Sequence, residues 1–198
     1  MIMDEKFWDD MYGRAERVMS GKPNPVLTQQ VTGLSPGRAL DVGCGEGDDA
    51  RWLAAMGWTV TAADISSTAL ERAASLTEPA DITWVHANYL KSPPPATAFD
   101  LVAMHYFALP KADGPEAALG IAESVAPGGT LLVVNHAVVP GHEWNGIRPS
   151  DFYEPHGIAE LLGEEWTALI DDTRPRTTAA PAGSGHTHDT VMRATRRR

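Results

Sequence analysis

The strongest constraint on the fold is a regular alternation of short apolar runs with helical patterns and turns between Arg38 and Asn135. Five such runs, rich in valine, leucine, isoleucine and alanine, predict strands at residues 38–42, 58–63, 82–86, 99–104 and 130–135. A chain that alternates strands and helices in this way builds a parallel sheet covered by helices on both faces. The right-handed crossover rule then leaves few topologies.

The two ends of the chain depart from this pattern. Residues 1–36 form a lead-in that contains the breaker Pro23-Asn24-Pro25, where proline prevents a helix from continuing. Near the other end, residues 166–176 and 187–195 predict an antiparallel pair of strands at the sheet edge, joined by a patternless loop at 177–185. We expect one domain over residues 1–198, with its sheet core in residues 37–198.

Composition excludes several classes of protein. The 198-residue chain has 26 acidic and 16 basic residues, and its net charge of -10 would repel a phosphate backbone, so no nucleic-acid partner is expected. A single cysteine, Cys44, excludes disulfide frameworks and cysteine-rich zinc sites and fits the cytosol. With no signal peptide and no apolar run near the roughly 20 residues of a membrane helix, we expect a cytoplasmic protein without membrane partners or a resident metal. The oligomeric state stays open.

A glycine-rich run, Leu40-Asp41-Val42-Gly43-Cys44-Gly45-Glu46-Gly47, connects the first predicted strand to a helix predicted over residues 46–56. Ligands of open α/β sheets bind beyond the carboxyl ends of the strands, and glycine lets the backbone approach them. The Gly-x-Gly-x-Gly spacing differs from the nicotinamide fingerprint, whose third glycine would fall at Asp48. Because a carboxylate there would repel a pyrophosphate, the run favours a ligand without phosphates.

A second marker, Asp64, ends the second predicted strand, 21 positions after Gly43. A carboxylate at this point can accept both hydroxyls of a ribose. Nicotinamide enzymes share this feature, so it is informative only together with the glycine spacing.

Four features together resemble the class I S-adenosylmethionine-dependent methyltransferases: Asp41-x-Gly43-x-Gly45-x-Gly47, Asp64, Asn88, and the Pro127-Gly128-Gly129 turn. Within that family the chain is most similar to the small single-domain tellurite-resistance and thiopurine methyltransferases, whose N-terminal Trp and Tyr are matched by Trp8 and Tyr12. The resemblance implies a Rossmann-like, doubly wound, seven-stranded α/β sheet, mostly parallel with an antiparallel C-terminal strand. It also implies S-adenosylmethionine as cofactor and S-adenosylhomocysteine as product.

The resemblance also assigns residues to the cofactor. Gly43, Cys44 and Gly45 would lie against its methionine portion and ribose, and Asp64 would bind the ribose hydroxyls. Ile65 and Tyr89 would flank the adenine. Asn88 replaces the aspartate common in the family, and its carbonyl can still accept from the adenine amino group. His105 would lie near the methionine end.

Methyl transfer is an in-line displacement that depends on positioning and on exclusion of water. Aromatic faces stabilise a sulfonium, and the candidates are Trp8, Tyr12, Tyr106 and Trp144. A general base is needed only for a protonated nucleophile. His105 is the first candidate for a catalytic base, and His136 and His142 follow.

Simpler interpretations of the same residues stay open. Trp8 and Tyr12, four residues apart, could pack in the core of a helix, Cys44 could be a small buried residue, and Asn88 could cap a turn. The carboxylates Glu46, Asp48 and Asp49 are most simply partners of a helix dipole.

The sequence thus predicts an enzyme that methylates a small-molecule acceptor. A methyltransferase acting on protein or RNA would share the cofactor site, but the charge opposes RNA. In addition, His105-Tyr106-Phe107-Ala108 stands where nucleic-acid enzymes of the family often carry Asn/Asp-Pro-Pro-Tyr/Phe. A nicotinamide oxidoreductase is disfavoured by Asp48, and a non-catalytic cofactor-binding module stays open.

Overall fold

The computed structural model describes residues 3–16, 18–76, 82–137, 148–175 and 187–198. Helices and strands follow one another along the chain as α1 (Glu5–Tyr12), α2 (Pro25–Val31), β1 (Arg38–Val42), α3 (Asp48–Ala55), β2 (Thr59–Asp64), α4 (Ser67–Ser75), β3 (Ile82–His86), β4 (Phe99–His105), α5 (Glu116–Glu123), β5 (Val125–His136), α6 (Pro155–Leu161), β6 (Trp166–Pro175) and β7 (His188–Arg196). The predicted loop at 177–185 lies outside the described residues. Within the described ranges, no helix combines the length and the apolar character needed to span a bilayer.

The strands form one seven-stranded sheet in the order β3-β2-β1-β4-β5-β7-β6. Strands β1 to β5 are parallel, and β7 runs antiparallel to both β5 and β6. The predicted Rossmann-like sheet with antiparallel C-terminal strands is therefore confirmed. After β3 the chain crosses to the opposite side of β1, and this reversal opens a crevice at the carboxyl ends of the central strands.

Apolar side chains cover both faces of the sheet because successive strand residues point to opposite sides. On one face, Leu53 of α3 and Leu27 of α2 pack with the strand residue Leu101. On the other face, Ile121 of α5 and Ile158 of α6 join a second cluster that contains strand residues of β1, β4 and β5. The central strands are thus buried on both sides, as the near-continuous apolar runs predicted.

Helix α3, strand β5 and the lead-in differ from the sequence prediction. Helix α3 begins at Asp48 rather than at Glu46, because Gly47 has a left-handed φ of 78° and forms the N-cap. Strand β5 begins at Val125, so Gly128 lies inside a strand with an irregular register rather than in a turn before it. The lead-in contains two helices, α1 and α2.

Candidate functional site

A cavity of about 1500 Å³ opens at the carboxyl edge of the parallel strands. Its walls come from the lead-in, from the loops after β1 to β5, and from residues 148–152. All ten residues predicted to contact the cofactor line it: Trp8, Tyr12, Gly43, Cys44, Gly45, Asp64, Ile65, Asn88, Tyr89 and His105. The structure therefore brings together residues that are distant in sequence, while their individual roles stay predictions.

The loop after β1 requires glycine for two reasons. Gly43 and Gly45 have φ angles of 70° and 53°, a left-handed conformation that other residues adopt at a cost. A Cβ atom on Gly43 would lie 2.7 Å from the Phe107 ring, and one on Gly45 would lie 2.5 Å from the Tyr12 hydroxyl. Close packing against the chain's own aromatic side chains thus explains these glycines as well as a ligand does, and the sequence reasoning missed this.

Asp64 joins the glycine loop to the start of α4. Its Oδ2 accepts a hydrogen bond from the Gly45 amide and its Oδ1 accepts one from the Ser66 amide, both at 2.8 Å. The side chain is buried, and burial raises its pKa against the lowering effect of the backbone amides. Each carboxylate oxygen keeps a further lone pair for a ligand hydroxyl.

Asn88, on the loop after β3, makes a local turn. Its Oδ1 accepts a hydrogen bond from the Leu90 amide at 3.0 Å. The simpler interpretation, that this residue caps a turn, therefore describes part of its role. It also lines the cavity, so contact with a ligand stays compatible with that turn.

A contact between α1 and α4 places the lead-in over the cavity. Asp9 accepts hydrogen bonds from the Ser66 hydroxyl at 2.6 Å and from the Thr68 amide at 3.0 Å, at the N-terminus of α4. This contact holds Trp8 and Tyr12, one turn apart on α1, at the cavity wall. Tyr12 is buried, and burial together with the Asp64 charge raises the pKa of its hydroxyl.

Glu46 does not act as the predicted partner of a helix dipole, and that prediction is wrong. It precedes α3 and is fully buried, where it accepts hydrogen bonds from the amides of Val18 at 3.1 Å and Met19 at 2.7 Å. Arg72 of α4 pairs with it at 3.1 Å. Burial opposes its ionised form, but these amides and Arg72 outweigh burial and lower the pKa.

The next two carboxylates also bind the lead-in. Asp48 accepts a hydrogen bond from the Gly21 amide at 2.7 Å, and Asp49 accepts one from the Asn24 amide at 2.6 Å. We call residues 18–24 the strap, since Glu46, Asp48 and Asp49 together hold four of its backbone amides. The sequence gives no local signal for these contacts, which join residues 25 to 28 positions apart.

His105 lies at the end of β4 with its side chain 6% exposed. Its Nδ1 donates to Oδ2 of Asp49 at 2.7 Å, since a carboxylate can only accept. Its Nε2 is buried and has no hydrogen-bond partner among the described residues, and the same holds for Oδ2 of Asp41. Burial and the nearby charges of Asp49 and Asp64 raise the pKa of Asp41. Two buried polar atoms without a partner at one cavity favour a ligand that forms hydrogen bonds there.

The other candidate base, His136, belongs to a cluster after β4 and β5. Asp189 of β7 accepts hydrogen bonds from the Tyr106 hydroxyl at 3.1 Å and from Nδ1 of His136 at 3.3 Å. The two rings stack with centroids 4.3 Å apart, and Tyr106 adopts a left-handed φ of 54°. The remaining candidates His142 and Trp144 lie outside the described residues.

Comparison with known families identifies part of the chain. Residues 39–129 match the family described as "Methyltransferase domain". An uncharacterized methyltransferase of Mycobacterium tuberculosis (strain ATCC 25618 / H37Rv) is 36% identical over 131 residues. The alignment covers 64% of this chain and 64% of that relative. Uncharacterized methyltransferases of a second Mycobacterium tuberculosis strain and of Mycobacterium bovis match with the same identity and coverage.

Solved structures share the fold. N-methyltransferase NodS from Bradyrhizobium japonicum WM9, in complex with S-adenosyl-l-homocysteine, is 18% identical with a TM-score of 0.72, and the match covers 98% of this chain and 97% of that one. TehB from Haemophilus influenzae is 15% identical with a TM-score of 0.66, with 98% and 67% covered. At these identities the likeness concerns the fold alone.

Proposed function

We propose that the protein is a class I S-adenosylmethionine-dependent methyltransferase that transfers a methyl group to a small-molecule acceptor, supported by the match of residues 39–129 to a methyltransferase-domain family. The observation that carries the proposal is the convergence of the glycine loop, Asp64, Asn88 and His105 on one cavity. The matched region spans 64% of the curated relatives' length, so the activity of the whole protein is our proposal.

The proposed cofactor site lies along the carboxyl ends of the parallel strands. Asp64 binds the ribose hydroxyls through the lone pairs that its amide partners leave. Ile65 and Tyr89 flank the adenine, and Asn88 accepts from the adenine amino group. Gly43, Cys44 and Gly45 present backbone to the ribose and methionine portion, while Trp8 and Tyr12 cover the site from α1.

The polar groups at the cavity fit this cofactor. S-adenosylmethionine supplies a methyl group on a positively charged sulfur and also carries an ammonium group. The buried Oδ2 of Asp41, which has no donor among the described residues, supplies a matching negative charge and acceptor atom. A bound cation lowers the pKa of a neighbouring carboxyl group, which opposes the effect of burial on Asp41 and Asp64.

A small acceptor is favoured by the cover over the cavity. Helix α1 and the strap form part of its wall, and hydrogen bonds to Asp9, Glu46, Asp48 and Asp49 hold them there. This cover excludes water from the reacting groups, as methyl transfer requires. The net charge of -10 does not suit RNA. We further propose His105 as the catalytic base, and a cytoplasmic location on the basis of the single cysteine.

Calorimetry tests the cofactor assignment first. We expect S-adenosylmethionine and S-adenosylhomocysteine to bind, and NAD, as a matched dinucleotide control, not to bind. The acceptor is then sought by S-adenosylhomocysteine release with phenols, thiols, quinones, amines and metalloid oxyanions, with extracted RNA as the control. If neither cofactor form binds at millimolar concentration, the proposed function is wrong.

A further inference from the structure

One carboxylate, Asp49, contacts both the proposed base and the strap. Its Oδ2 accepts from Nδ1 of His105 at 2.7 Å and its Oδ1 accepts from the Asn24 amide at 2.6 Å. Asn24 lies between Pro23 and Pro25, which have no N–H, so its amide is the one backbone donor of that triplet. Held at both oxygens, the carboxylate has a fixed orientation toward the imidazole.

This contact fixes the tautomer of His105. Because Asp49 accepts at Nδ1, the proton of the neutral ring is on Nδ1 and the lone pair is on Nε2. His105 lines the cavity with its side chain 6% exposed, and its Nε2 is buried with no described residue donating to it. A buried acceptor without a donor is unfavourable, so the free energy of the site improves when a ligand donates there.

The cofactor is not the best source of that donor. Its ammonium group has a better partner in Asp41 of β1, since a cation binds a carboxylate more strongly than a neutral imidazole. His105 ends β4, on the side of β1 away from Asp64 and Asn88. Nε2 is therefore placed for the second molecule in the cavity, the methyl acceptor.

We propose that Asp49 is a positioning residue that makes Nε2 of His105 the proton acceptor, and that the natural acceptor carries a protonated O–H, N–H or S–H nucleophile. This inference rests on the proposed function. In the step, the bond between the nucleophilic atom and hydrogen breaks, and the proton moves to Nε2. The freed electron pair forms the bond to the methyl carbon, and the electrons of the old carbon–sulfur bond stay on sulfur. The imidazolium then releases its proton to water.

The first test needs no acceptor. Nitrogen-15 NMR of the protein bound to S-adenosylhomocysteine reports which ring nitrogen of His105 carries the proton, with H105Q identifying the signal. We expect the Nδ1–H tautomer in the natural chain and a shift toward Nε2–H in Asp49→Asn, whose amide can donate to Nδ1. Asp48→Asn is the matched control, because it removes a neighbouring strap carboxylate that does not touch His105, and it should keep Nδ1–H. An Nε2–H tautomer in the natural chain would overturn the proposal.

The second test uses the acceptor returned by the product-release panel. For Asp49→Asn and H105Q we expect kcat to fall about 100-fold or more, the scale of general-base catalysis, with acceptor KM changed less than about threefold. Affinity for S-adenosylhomocysteine should stay within about twofold. A large loss of that affinity in both variants would instead assign His105 to the cofactor and overturn the inference while leaving the proposed function intact. A panel that returns only acceptors already ionised at the assay pH would also overturn it.

Discussion

Around the ends of β1, β2 and β3 the cavity wall is held by backbone amides, whereas beyond β4, β5 and β7 it is held by contacts between side chains. On the first side, Asp64 accepts from the Gly45 and Ser66 amides, and the Gly43 amide donates to the Ala63 carbonyl at 2.8 Å. On the second side, His105 meets Asp49, and Asp189 meets both aromatic rings of its cluster. The first side depends on the course of the backbone, and the second side depends on particular side chains.

The difference matters for what each side can do. A backbone cradle with one carboxylate suits a constant ligand such as a nucleoside, because it changes little when surrounding side chains change. A wall of side-chain pairs suits an acceptor whose identity varies between enzymes, because one substitution alters its chemistry. Substitutions on the two sides should therefore differ in the size of their effects, and four of them test this.

The largest effect is expected on the backbone side, from Gly45→Ala. The new methyl group would occupy space 2.5 Å from the Tyr12 hydroxyl, at a φ of 53°. Left-handed strain and overpacking together should cost about 3 kcal/mol of the free energy of unfolding, measured in urea. Gly33→Ala is the control, since its φ is also positive but no atom lies within 4 Å of the added carbon. Equal losses in the two variants would contradict the close packing of Tyr12.

Asp64→Ala should act mainly on cofactor affinity. Removing charge-assisted hydrogen bonds to the ribose should weaken S-adenosylhomocysteine binding by about 2 kcal/mol, or roughly 30-fold, in calorimetry. Asp64→Asn keeps one acceptor oxygen and should lose less. Unchanged affinity in the alanine variant would rule out the ribose assignment and with it the proposed role of this side of the cavity.

The substitution Asp41→Asn tests the first side of the cavity through the pH dependence of stability. Since burial and neighbouring carboxylates raise the pKa of Asp41, its ionised form is disfavoured in the folded protein, and its effect on stability becomes more unfavourable as pH rises above the ordinary aspartate range. The asparagine variant lacks this slope, so it should gain stability relative to the natural chain between pH 5 and pH 8. Urea unfolding at both pH values checks this. Parallel stability curves for the two proteins would show that Asp41 has an ordinary pKa.

The smallest effect is expected on the side-chain side, from Tyr106→Phe. This change removes the hydroxyl that donates to Asp189 at 3.1 Å but keeps the stack on His136. The net value of one such hydrogen bond is about 0.5–1.5 kcal/mol, and we expect a loss in that range by thermal unfolding. No measurable loss would mean that the ring stack, rather than the hydroxyl, holds this part of the wall.

The sequence predicted the fold, and it also named residues that line the first side of the cavity, for a physical reason. The glycine spacing and the alternation of strands and helices are local patterns that can be recognised from neighbouring residues in the sequence, and Asp64 is recognised as the residue that ends a strand. The seven-stranded sheet was confirmed, and residues 39–129 match a methyltransferase-domain family. Helix α3 was predicted two residues too early because Glu46 and Gly47 are compatible with a helix in sequence, although the left-handed φ of Gly47 excludes it.

The second side could not be predicted because its contacts are not local. Asp49 and His105 are 56 positions apart, and Tyr106 and Asp189 are 83 apart. Nothing near Asp49 in the sequence distinguishes a residue that orients a histidine from one that faces a helix dipole. The strap contacts of Glu46 have the same character, since both of its amide partners come from the lead-in.

The contact between Asp9 and the start of α4 has a consequence for biosynthesis. An isolated helix as short as α1 is unstable in water, and its docking site at Ser66 and Thr68 lies almost sixty residues further along the chain. On the ribosome, α1 therefore stays undocked until α4 has left the exit tunnel. Helix α1 is thus made before the sheet strands but is one of the later elements to find its place, and the ligand cavity lacks this part of its wall until then.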